Sequence, residues 1–225
     1  MNESLFLLAF FAQIVLLYFL SRLTINKAFR FLQMFSKNDQ LIFSLVSLIF
    51  FPGTIIHELS HFMAATVLFL KVRSIDILPR REGTEIKLGS VLYEKKDFVR
   101  GVLVGIAPIF SGVLIFWFVA KFRLFPAENI LLNIVFLYLI FAISSMMFSS
   151  KKDLVDLIYI IPLGVFLYGF YYIFDLRLDF LIQNEALRQG MTSFIQQVNI
   201  YLLISLGVNL TLLFLFFTVK KILRR

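Results

Sequence analysis

Apolar residues run along this chain in long blocks, separated by short clusters of charged and polar positions. The first block, Ser4 to Leu20, is interrupted only by Gln13 and is long enough for a membrane span. From Arg22 to Gln40 the pattern changes. Ile25, Phe29, Leu32 and Phe35 recur at helical spacing while Lys27, Arg30, Gln33 and Lys37 fall largely elsewhere, which predicts a short amphipathic helix lying in the interface. Leu41 to Leu70 is the second span. Lys71 to Asp97 is polar: Ile75 and Ile77 alternate with Arg73, Ser74 and Asp76, Pro79-Arg-Arg-Glu-Gly83 reads as a turn, and Ile86, Leu88, Ser90 and Leu92 alternate after it. That predicts a short β-hairpin at the membrane surface. Its strand edge either aligns an unwound substrate by strand addition or serves as a connector over the helix ends.

Further spans are expected over Phe98–Ala120, Asn129–Phe148, about 154–174 and Phe194–Val219, with Lys121–Glu128 and Asp175–Thr192 as loops. Gly101, Gly105 and Gly112 in the third span allow close helix approach, and Pro108 loosens the backbone hydrogen bonding near it. The prediction is an all-α polytopic membrane protein of about six transmembrane helices, with a small β-hairpin segment between the second and third. No internal repeat or low-complexity linker divides it, so residues 1–225 read as one membrane domain.

Composition agrees. Of 225 residues 60% are hydrophobic, and mean hydropathy is +0.90, far too apolar for a soluble domain. The absence of cysteine excludes a disulfide framework and thiolate metal sites. A formal charge of +8 invites a nucleic-acid reading, but the basic residues flank apolar segments, as anchors facing lipid headgroups do. Met1-Asn-Glu-Ser carries no basic n-region, so no cleavable signal peptide is expected. With six spans and the N-terminus inside, fourteen Lys and Arg fall on the cytoplasmic side and eight on the other, which favours both termini and the hairpin in the cytoplasm.

Candidate chemistry sits in the second span, in Phe51-Pro-Gly-Thr-Ile-Ile-His57-Glu58-Leu-Ser-His61, an H-E-x-x-H pattern that contains both histidines of the chain. Residues four apart share a helix face, so His57 and His61 present two imidazoles to one metal ion. Glu58 lies about 100° further round, placed as a general base for a metal-activated water. Ionisable groups at this depth cost roughly 2.5–3.5 kcal/mol even on the lenient insertion scale, which favours the metal reading over histidines that merely bridge helices. A catalytic zinc takes three protein ligands. With no further His or Cys the third must be a carboxylate: Asp153, Asp156 or an acidic residue of 71–97. The C-terminal ends of the second and fourth spans emerge on one face, so Asp153 and Asp156, directly after an apolar helix, start closest to the metal's depth.

At this point the chain resembles the site-2 protease family of intramembrane zinc metalloproteases. In that family an aspartate two spans after H-E-x-x-H, in N-x-x-P-x-P-x-x-D-G, completes the zinc site. Here Ser145-Met-Met-Phe-Ser-Ser-Lys-Lys-Asp153 keeps the spacing but lacks the asparagine, both prolines and the glycine, where Leu154 stands. Ala107-Pro108-Ile-Phe-Ser111 lies where the family often has G-P-x-x-N, again with serine for asparagine. No PDZ-like domain is present. The resemblance covers about residues 41–156 and leaves helices 4–20, 154–174 and 194–219 as additions. It implies one zinc held by His57, His61 and Asp153 (Asp156 as the alternative), Glu58 as the base, and Ser111 and Ser145 as substrate contacts. The implied substrate is a transmembrane helix, cut to release a signalling fragment or to clear signal-peptide remnants. The implied location is a prokaryotic cell membrane with the active-site face cytoplasmic.

Two other readings compete. One is a non-catalytic membrane scaffold, with or without metal, suggested by the serine substitutions; an intact and costly Glu58 argues against it. The other takes a late glutamate, Glu185, as third ligand, from a position expected on the opposite face from the histidines.

Overall fold

The computed structural model describes residues 3–77, 80–82, 85–87, 89–148, 160–174 and 184–223. Its elements are α1 (Glu3–Leu32), α2 (Asp39–Val67), β1 (Val72–Asp76), β2 (Arg80–Glu82), β3 (Glu85–Lys87), β4 (Ser90–Tyr93), α3 (Phe98–Lys121), α4 (Ile130–Met146), α5 (Ile160–Ile173) and α6 (Glu185–Leu223). Four of these, α1, α2, α3 and α6, are long and apolar enough to cross a membrane, while α4 and α5 are shorter apolar helices.

Local chemistry sets the helix starts. Asn38 caps α2, its side-chain oxygen accepting from Gln40 N at 3.0 Å and Leu41 N at 3.2 Å. Asp97 caps α3 through Arg100 N at 2.9 Å, and Asn129 caps α4 through Leu131 N at 2.8 Å. Pro52 sits in the interior of α2 and Pro108 in the interior of α3. One turn before Gly53, the Ile49 carbonyl of α2 accepts the Tyr138 hydroxyl of α4 at 2.9 Å and ties the two helices together.

Glycines set the packing around α2. A Cβ at Gly53 would run into the Ala142 carbonyl oxygen and lie 2.7 Å from Met146 Cγ. Phe50 meets Phe141 with ring centroids 5.5 Å apart. The contacts Ile49–Tyr138, Phe50–Phe141 and Gly53–Met146 advance together along both chains, so α2 and α4 run parallel. At Gly112 of α3 a Cβ would overlap the Met147 side chain, 2.9 Å from its Cγ. Helices α2, α3 and the end of α4 therefore meet at small residues.

The amphipathic segment after Leu20 is not a separate interfacial helix. Neither Gly nor Pro interrupts residues 20–32, and α1 continues to Leu32 with Arg22 over the Tyr18 ring at 4.9 Å. Ile25, Phe29 and Leu32, expected to face lipid, pack instead against the core cluster of Ile42, Val46 and Phe50 from α2 with Phe141 and Met146 from α4. The loop expected up to Thr192 ends earlier, since α6 starts at Glu185.

Helices α1 and α6 lie side by side and point the same way: Glu3 pairs with Arg188 at 3.5 Å, Asn199 Nδ2 donates to the Phe6 carbonyl at 3.0 Å, and Phe31 stacks near Phe216 at 5.0 Å. Six alternating spans would set the first and last helices antiparallel, so the count of six is not reproduced. Between α4 and α6 the hydroxyls of Ser144 and Ser205 hydrogen-bond in full burial, and within α6 Asn209 Nδ2 donates to Ser205 O at 3.0 Å.

The 71–97 segment forms nested antiparallel pairs. β1 pairs with β4, Val72 opposite Tyr93 and Asp76 opposite Ser90; β2 pairs with β3, Glu82 opposite Glu85. The expected turn at 79–83 is displaced, because residues 80–82 are paired as strand. Val72 and Tyr93 pack on Ala65, Leu70 and Val104, rooting the hairpin on α2 and α3.

Candidate metal centre

His57, Glu58 and His61 occupy successive positions on α2, one turn after the Gly53 contact with α4. All three are deeply buried, 2%, 4% and 7% exposed. The one-turn spacing does what the sequence requires of it: the Nε2 atoms of His57 and His61 face each other at 3.1 Å, with the rings edge to face at 4.7 Å between centroids. Two nitrogens bound to one tetrahedral zinc at ordinary bond lengths lie roughly 3.3 Å apart, so this pair fits two positions of such a site with little movement.

The outer side of His61 is also held. Its Nδ1 donates to the Val104 carbonyl of α3 at 2.8 Å. A carbonyl only accepts, so the proton sits on Nδ1, and in the neutral ring the Nε2 lone pair faces His57. That is the arrangement in which a ligating histidine is oriented by a partner on its other nitrogen.

Glu58 reaches the hairpin. A Cβ on Gly89 would stand 2.6 Å from Glu58 Cγ and 2.7 Å from its Oε1, so the backbone between β3 and β4 lies directly on the carboxylate. A side chain at position 89 would push the Glu58 carboxylate from this place. Glu58 thus lies against the hairpin, and His61 reaches α3 through its Nδ1. Neither Gly89 nor Val104 was evident as a site residue in the sequence. Gly89 had only the signal of a lone glycine between apolar and strand positions, and Val104 contributes a backbone atom that its side chain does not announce.

The other candidates divide. Asp153 and Asp156 lie outside the described residues. Among the described residues no three His, Cys, Asp or Glu side chains gather as a metal-ligand group. Ser145 is described: it is 1% exposed inside the bundle and its hydroxyl finds no hydrogen-bond partner. Ser111 is half-buried on α3, one residue before the Gly112 contact with Met147. Glu185 opens α6 beside the start of α1, at the end of the bundle where α2 finishes and not on the face opposite the histidines as expected, but it is exposed where they are buried. No protein-family model, characterised protein or solved structure matches the chain.

Proposed function

We propose that this protein is an intramembrane zinc endopeptidase that hydrolyses a peptide bond in a transmembrane substrate. The observation that carries the reading is the buried imidazole pair, Nε2 to Nε2 at 3.1 Å, with His61 oriented from behind by Val104. A hydrogen-bonded pair with no metal would need His57 Nε2–H to donate to His61. A bare histidine pair gives no reason for a glutamate at the next position, where the H-E-x-x-H pattern puts the base for a metal-activated water.

His57, His61 and Asp153 would hold the ion, with Asp156 as the alternative third ligand. The parallel run of α2 and α4 supports this, since α4 reaches the Gly53 level at Met146, its last residue, seven positions before Asp153. The chemistry supplied by a bound zinc is Lewis-acid polarisation of a carbonyl and a lowered pKa for water. Glu58 takes the proton from the attacking water on its carboxylate and delivers it to the leaving amine. The buried setting keeps bulk water from competing. A substrate helix has to unwind locally for its peptide group to reach Glu58, and the β1–β4 edge beside Gly89 offers an extended segment a strand to pair with.

Metal content of the purified chain tests the site. The wild type should carry about one zinc, the stoichiometry of a single three-ligand site. His57→Ala and His61→Ala should each lose it, because one imidazole and one carboxylate leave too few ligands. Asp153→Ala should weaken binding strongly; full retention there with loss in Asp156→Ala moves the third ligand to Asp156. Full retention in His57→Ala removes the proposed site altogether.

A further inference from the structure

We infer that Pro108 is a positioning residue for the proposed metal centre: by lacking an N–H it leaves the Val104 carbonyl for His61. This rests on the metal reading above. In an α-helix the N–H of residue i+4 donates to the carbonyl of residue i, and Val104 stands four residues before Pro108. Proline has no N–H to give, and its ring crowds that same carbonyl and turns it away from the helix axis. Yet α3 runs as one helix from Phe98 to Lys121, with Pro108 buried inside it. A carbonyl freed in hydrocarbon must find a partner from a neighbouring helix. Here the partner is His61 Nδ1 of α2, at 2.8 Å.

Both ends of that bond are buried, Val104 at 0% and His61 at 7% exposure, so water cannot stand in for either. The bond has two consequences. It fixes the tautomer that leaves Nε2 unprotonated, and it fixes the plane of the ring against His57. One residue on α3 thereby prepares a donor atom on α2 through the carbonyl of another. A plain bend-forming proline would have no such link to the histidine.

Pro108→Ala separates the two roles because it moves stability and metal affinity in opposite directions. The new N–H competes for the Val104 carbonyl. That oxygen has two lone pairs, so the bond to His61 is weakened, not abolished. Zinc affinity should fall about tenfold, the low end of the 10–100-fold seen when a partner behind a ligand is changed. The metal-free protein should be as heat-stable as wild type or more so, since alanine is the better helix residue. Both are measured on the full chain in detergent, affinity by competition with a chromophoric chelator and ligand geometry by the visible spectrum of the cobalt-loaded protein.

A backbone ester at position 108, carrying an alanine side chain but oxygen in place of N–H, should restore the wild-type affinity. Wild-type affinity in Pro108→Ala overturns the inference while leaving the metal site standing. So does loss of affinity that the ester fails to restore. A wild-type chain that takes up no zinc overturns the metal reading and this inference with it.

Discussion

Glu58→Gln is expected to abolish cleavage of a substrate helix while leaving the metal in place. Glutamine keeps the size and burial of the side chain against Gly89 but cannot accept a proton, and a positioned general base contributes about 10²–10⁴-fold. Glu58 shares no ligand duty with His57 and His61 in the proposed site, so zinc content should match the wild type. The pair of measurements, turnover and metal on the same sample, distinguishes loss of the base from collapse of the site. A Glu58→Gln chain that cleaves at the wild-type rate would remove Glu58 from the reaction. One that loses zinc would make Glu58 a ligand.

The second large effect is structural. Gly53→Val should destabilise the bundle and empty the site together. A side chain there has no room, because the Ala142 carbonyl and Met146 occupy its place. Overpacking of this kind costs about 1–3 kcal/mol, and in a chain of this size each kcal/mol lowers Tm by about 2–4 °C. Backbone carbonyl cannot rotate aside as a side chain can, so α4 must move off α2. The segment that follows α4 carries Asp153, so zinc affinity should drop along with Tm, although Gly53 itself binds nothing. Unchanged zinc affinity in a destabilised Gly53→Val chain would mean that α4 does not set the position of the third ligand.

The sequence made the centre of this molecule legible and its periphery much less so. H-E-x-x-H on an apolar helix specifies its own geometry, because residues one turn apart share a face, and α2 sets Nε2 against Nε2 in that way. Small residues in the third span announced close approach, and Gly112 delivers it. Helix termination was misread where charge stood in for a breaker. Arg22 to Leu32 looked interfacial because its charges alternate with apolar residues, but nothing in it stops a helix, and its apolar stripe had a partner in α2.

Topology was the larger difference. The hydropathy blocks count apolar segments, not crossings, and an apolar helix of 14 residues such as α5 is short for a full span. The parallel α1–α6 pair is what an odd number of crossings from first to last produces, as when α5 does not cross. On such a five-crossing path the Lys and Arg divide twelve to ten between the two faces, and the bias that placed the termini and hairpin in the cytoplasm vanishes. The contacts that hold the site from outside were legible only indirectly. Val104 acts through its backbone, with Pro108 its one sequence signature, and Gly89 acts through the side chain it lacks.

The most direct test of the central claim is cleavage of a transmembrane-helix peptide by the purified wild-type chain in detergent or liposomes, read by mass spectrometry before and after a zinc chelator. The account predicts a cut within the apolar segment that stops with the chelator and resumes when zinc is returned. Cleavage that persists in the chelator, or a zinc-loaded chain that cuts no helix among substrates of varied helix-breaking content, would contradict it.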